Sequence, residues 1–194
     1  MVQIMKELFI KRFQYYKELG DKTFEQLNEQ EILWQYNEES NSVATIVKHL
    51  SGNMISRWTN FLTEDGEKDW RNRDSEFEHT IKTKAEMLEL WEKGWKILFN
   101  ALNQINEENL HQTIFIRGEK HSVADAVLRQ LAHYPYHIGQ IAYIAKMLKN
   151  ENWKTLSIAR NQSKDFNHLM FQQQNSSPVC YANSDEVRED YKAE

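Results

Sequence analysis

The chain has 194 residues, a net charge of −5, an apolar fraction of 40% and only two Pro and six Gly. That composition suits one domain with a real core, favours long helices over a many-stranded sheet, and lacks the basic excess expected of a nucleic-acid partner. No apolar run approaches the ~18 residues of a membrane span, the N-terminus alternates charged and apolar residues from Lys6 onward, and Cys180 stands alone, so a cytoplasmic protein without membrane or disulfide is expected.

Residues 2–27 place Ile4, Met5, Leu8, Phe9, Phe13, Tyr16, Leu19, Phe24 and Leu27 at helical spacing. A polar stretch, 28–42, follows, with Ile32, Leu33 and Trp34 expected beneath it. Ser42 is an N-cap for a second long helix over 43–62, with the stripe Val43, Ile46, Val47, Leu50, Met54, Trp58 and Phe61. Residues 63–82 are too long for an ordinary helix-helix turn and can span the ~30 Å of a twenty-residue helix. They are read as a crossover that leaves the second and third helices parallel.

Thr83 and Glu86 form a capping box for the third helix, whose stripe runs Met87, Leu88, Trp91, Trp95, Leu98, Phe99 and Leu102. Thr113–Ile116 alternates as a strand, and Arg117-Gly118-Glu119 is a turn for a short ribbon. Ser122 with Asp125 caps a fourth helix over 123–148, with a kink expected at Pro135. No 20–50-residue repeat is present. Residues 149–170 complete the expected domain, 1–170. The Gln-, Asn- and Ser-rich remainder, 171–194, reads as a disordered tail.

His133 and His137 stand four residues apart in the fourth helix, so both imidazoles share one face, one turn apart. Two such nitrogens can chelate one divalent ion. If the fourth helix returns against the second, His49 lies about 10 Å from one helix start and His137 about 16 Å from the other helix end, compatible depths at 1.5 Å per residue. His49, His133 and His137 then form a three-histidine site with an open position, as in catalytic zinc or nickel-like centres. The alternative is that His49 is an ordinary polar residue at a helix border.

Val-Lys-His49-Leu, His133-Tyr-Pro-Tyr-His137-Ile-Gly-Gln-Ile and the long connections resemble the DinB/YfiT-like superfamily. Segments 61–74, Phe-Leu-Thr-Glu-Asp-Gly-Glu-Lys-Asp-Trp-Arg-Asn-Arg-Asp, and 156–167, Leu-Ser-Ile-Ala-Arg-Asn-Gln-Ser-Lys-Asp-Phe-Asn, resemble an uncharacterised branch of it. The resemblance covers about residues 2–168. It implies an all-α, up-down-down-up four-helix bundle, one divalent metal ion on the triad (zinc or nickel) and a homodimer. Characterised members include transferases that use bacillithiol or mycothiol, and a thiol-dependent isomerase. The resemblance therefore implies a low-molecular-weight thiol and an electrophile as substrates of an S-transferase. A hydrolase using the same metal, and a non-catalytic sensor or binding module, are the alternatives.

Arg71, Arg73 and Arg160 lie on segments expected near the metal end, where forked donors can hold a substrate carboxylate or phosphate. The same arginines can instead pin long loops to carboxylates. Gln140 reads either as an outer partner of a metal ligand or as a surface amide. Tyr134 and Tyr136 are expected in the core, and His121 and His168 on the surface. Glu76/His79 and Glu108/His111 have Glu-x-x-His spacing, but both fall in polar connections rather than on core helices, so a di-iron carboxylate site is rejected.

Overall fold

The computed structural model describes residues 1–176, which divide into two compact units that meet in sequence at Trp153 and Lys154. The first unit is mainly helical. It contains α1 (Val2–Glu25), the short α2 (Glu29–Leu33), α3 (Val43–Trp58), α4 (Lys84–Asn103), an antiparallel ribbon of β1 (Thr113–Ile116) and β2 (Glu119–Ser122), and α5 (Val123–Lys149). The second unit contains α6 (Ser163–Ser176). No helix among the described residues is long and apolar enough to cross a membrane.

Local chemistry sets the helix starts. The Ser42 hydroxyl accepts the Thr45 amide, Thr83 and Glu86 close a capping box, and the Ser122 hydroxyl accepts the Asp125 amide. The first helix ends earlier than its stripe suggests. Asn28 forms a second capping box with Glu31, which starts α2 and separates Leu27 from α1. Leu33, expected beneath this stretch, is 38% exposed, whereas Ile32 is fully buried. The 43–62 helix likewise stops at Trp58, because Thr59 turns extended; Phe61 still packs inward from the loop that follows. Arg117 and Gly118 both take positive φ in the tight turn of the ribbon. α5 continues through Pro135.

Pairwise contacts set the directions of the long helices. Phe13 meets Trp95 and Phe24 meets Trp91, so α1 and α4 run oppositely. Thr45 faces His79 just ahead of α4 and Ser51 bonds the Leu90 carbonyl within it, so α3 and α4 run the same way. His49 faces His137 while Trp58 bonds Tyr134, so α5 returns against α3. A long crossover between α3 and α4 is what this parallel pairing requires.

The core between these helices is aromatic. Trp91 and Trp95 stack edge to face at 5.2 Å, and Trp95 also meets Phe13 and Tyr134. Each such ring contributes about 3–5 kcal/mol against truncation to Ala. Trp58, Trp91 and Trp95 are all buried in this one core.

One expectation near the C-terminus changes. Phe171–Ser176, expected to begin a disordered tail, complete α6. Phe166, Leu169 and Met170 give that segment an apolar stripe at helical spacing, and Gln is itself a good helix former. The rest of the expected tail, 177–194 with Cys180, lies outside the described residues.

Candidate metal centre

α3 delivers His49, which is 4% exposed, and α5 delivers the half-buried His133 and His137. One ring nitrogen from each lies within 4.8 Å of those of the other two. The outer nitrogens show which ones converge. His49 Nδ1 donates to Glu76 Oε2 at 2.9 Å, His133 Nδ1 to Gln130 Oε1 at 3.2 Å, and His137 Nδ1 to Gln140 Oε1 at 2.8 Å. With every Nδ1 carrying its proton toward an oxygen, each Nε2 keeps its lone pair for the shared space.

His133 Nε2 and His137 Nε2 are 3.1 Å apart. Two lone pairs at that separation repel unless something positive lies between them. A proton is disfavoured: burial, then the neighbouring His137 and His49, push His133 from 6.5 down to about 3. Burial also lowers His137, against the opposing effect of its Gln140 hydrogen bond. The cluster can therefore hold a metal ion. For tetrahedral zinc at ~2.0–2.1 Å from nitrogen, ligand atoms lie about 3.4 Å apart, close to the 3.1 Å of the His133–His137 pair and inside the 4.8 Å that bounds all three.

These shifts predict how the metal-free protein responds to acid. Between about 3 and 6.5 the unfolded chain holds a proton that folded His133 rejects. Stability must therefore fall as pH drops below about 6.5, by at most about 1.4 kcal/mol per pH unit for this group. Thermal unfolding of chelated protein between pH 6.5 and 4.5, above most carboxylate titration, should show a shallower slope for His133→Gln than for the wild type. Parallel profiles would contradict the assignment.

Sequence reading weighed Glu76 only as a di-iron partner of His79 and missed its hydrogen bond to His49. Glu76 lies on a single 3-10 turn, Asp74–Phe77, inside the crossover, and is 6% exposed. Burial works against its charge, but hydrogen bonds from His49 and Arg71 outweigh burial and hold the carboxyl below its ordinary range. Arg71 forks onto it, Nε to Oε1 at 2.8 Å and Nη2 to Oε2 at 2.9 Å, and gives Nη1 to Glu67. Gly52 makes the room: a Cβ there would fall 2.3 Å from Glu76 Oε1. Sequence spacing could not connect Glu76 to His49, because 27 residues and a crossover separate them. Gln130 did carry a signal, standing three residues before His133 as Gln140 stands three after His137.

The other expected site residues fall in different places. Arg71 and Arg73 line a cavity that His49 and His133 also border. Arg71 has its fork closed on Glu76, whereas Arg73 lies over the Phe77 ring at 5.1 Å. Arg160 belongs to the second unit, where its side chain is exposed. Tyr134 is fully buried, accepting from Trp58 Nε1 and donating to Asn53 Oδ1. Tyr136, expected in the core, is 62% exposed, since two positions along α5 carry it to the far side of the helix. His121, expected at the surface, is held between Asp125 and Glu119 with 9% of its side chain exposed; His168 is exposed. Glu108 and His111 are exposed, and His79 bonds Thr45.

Fold and site together define a mainly helical protein with a three-histidine cluster that could hold a metal ion. Residues 3–162 match the model of a family described as "Protein of unknown function (DUF1572)", and the chain belongs to that family. No curated protein matches the chain.

Proposed function

We propose that this chain is a metal-dependent enzyme of DinB/YfiT type, an up-down-down-up four-helix bundle that transfers a low-molecular-weight thiol to an electrophile. The observation that carries the metal is the set of three Nδ1–H groups tied to Glu76, Gln130 and Gln140, which leaves three Nε2 lone pairs converging. The helix directions and the histidine spacing support the superfamily reading. His49, His133 and His137 would hold one divalent ion, zinc or nickel. Three protein ligands leave a coordination position for a substrate atom. When bound, the ion supplies a Lewis acid that keeps a coordinated thiol as thiolate near neutral pH.

The chain's own residues have separate tasks in this reading. Glu76, Gln130 and Gln140 hold the imidazole orientations and tautomers, so the ligand atoms need little rearrangement. Arg71 keeps Glu76 ionised. The aromatic core beneath, with Tyr134 at its boundary, excludes water from the back of the site.

Cobalt(II) substituted into purified protein tests the thiol. A low-molecular-weight thiol should add a sulfur-to-metal charge-transfer band, and the same thiol should support metal-dependent turnover of an electrophile. Cobalt protein with no sulfur band and no thiol-dependent turnover would leave the non-catalytic sensor or binding module. Water-dependent turnover without the band would favour the hydrolase.

A further inference from the structure

Beside the histidine cluster lies a second feature, in which arginine supplies five of the nine lining residues. Arg57, Arg71, Arg73, Arg117 and Arg129 converge on a cavity of about 230 Å³ that shares His49 and His133 with the triad. Among the described residues no acidic side chain lines it. The arginines come from α3, the crossover, the ribbon turn and α5, and the structure holds them together. Asp65 accepts the backbone amides of Arg117 and Gly118 at 2.7 and 2.8 Å, which stitches the ribbon turn to the crossover.

Arg57 is the most telling of the five. It is 5% exposed, and among the described residues its buried Nε and Nη1 have no hydrogen-bond partner. A Cβ at Gly66 would come within 2.7 Å of Nη1, so the chain leaves just enough space for this guanidinium. Burying a cation with no partner is costly, and folds do not ordinarily retain one without a reason. Glu76 and Glu67 pair with Arg71, Glu67 also with Arg117, and Glu119 lies 3.5 Å from Arg129. Arg57 and Arg73 form no ion pair among the described residues.

We propose that this cavity binds a doubly charged oxyanionic group, with Arg57 as its buried anchor and Arg73, Arg117 and Arg129 closing around it. A cavity of this size admits a head group rather than a whole substrate. Guanidinium forks match the geometry of phosphate and carboxylate oxygens. The bound group is the anionic end of a substrate whose reactive atom reaches the histidines; that extension rests on the proposed metal-dependent function, whereas the anion site itself does not.

The test uses the full chain, zinc-loaded and after chelation, titrated calorimetrically with inorganic phosphate, malonate and acetate. At least one dianion should bind saturably to both forms, and acetate at least about tenfold more weakly. The tighter dianion tells a phosphate monoester from a dicarboxylate. Arg57→Met should weaken dianion binding by about tenfold or more, as should Arg129→Gln, whose half-exposed side chain can be replaced with the fold expected to stand. Because the anchor is unpaired, Arg57→Met should raise Tm without anion, and phosphate or malonate should raise Tm by more in the wild type than in the variant.

The site assignment is overturned if neither dianion binds the chelated protein, if acetate binds as tightly, or if both variants bind like the wild type. Failure of zinc to bind, with dianion binding intact, would remove the metal-dependent function and leave the anion site standing.

Discussion

His49→Ala, His133→Ala and His137→Ala are each expected to lose stoichiometric divalent metal while remaining folded. Each substitution removes one of three converging Nε2 atoms, and two imidazoles retain an ion far less well than three. The loss should exceed the about 10–100-fold that follows removal of an outer partner. Folding should survive because the main stabilising contacts lie elsewhere, in the Phe13, Phe24, Trp91, Trp95 and Tyr134 cluster. His133→Ala also relieves the close approach of its Nε2 to that of His137, so the metal-free variant should be no less stable in mild acid than the wild type. Elemental analysis of carefully prepared protein, alongside circular dichroism, reads both quantities. Full metal content in all three folded variants would falsify the site.

Glu76→Ala should damage both metal binding and stability. The substitution frees the His49 ring, whose Nδ1 proton then has no fixed acceptor, and metal affinity should fall by about 10–100-fold. It also strips Arg71, whose side chain is 3% exposed, of the carboxylate that receives two of its donors. Removing one partner of a buried pair costs about 3–5 kcal/mol, and Glu67, still bonded to Nη1, should keep the loss toward the lower end. Glu76→Gln retains the shape and one acceptor oxygen, so its losses should be smaller on both scales. Gly52→Ala supplies a control from the opposite side, displacing the carboxylate without removing it. Urea unfolding of metal-free protein separates the stability effect from the metal effect. A Glu76→Ala protein with wild-type stability and wild-type metal affinity would show that the carboxylate is incidental.

The contrast between His133 and Glu76 shows where sequence reading stops. His133 and His137 are joined by helical periodicity, a local property of α5 that four residues of sequence express completely. Gln130 and Gln140 obey the same local rule. The caps at Ser42, Thr83 and Ser122 are equally local, and so were legible, as was the ribbon turn at Arg117 and Gly118. The approach of His49 to the pair required helix directions as well, which the length of the crossover suggested and the contacts between α3, α4 and α5 supply.

Nothing local describes the rest of the site. Glu76 sits in a polar connection, Arg57 at the end of an apolar helix, and Arg117 in an exposed turn. In sequence each looks like ordinary solvated charge. Their chemistry arises because the crossover folds back over α3 and the ribbon turn is pinned to Asp65, bringing distant charges around one cavity. Helix periodicity by itself determined the histidine pair and the aromatic core of this protein. Only the tertiary structure decided which carboxylate orients His49 and which arginine is buried without a partner, because charge pairing depends on distance in space and not along the chain.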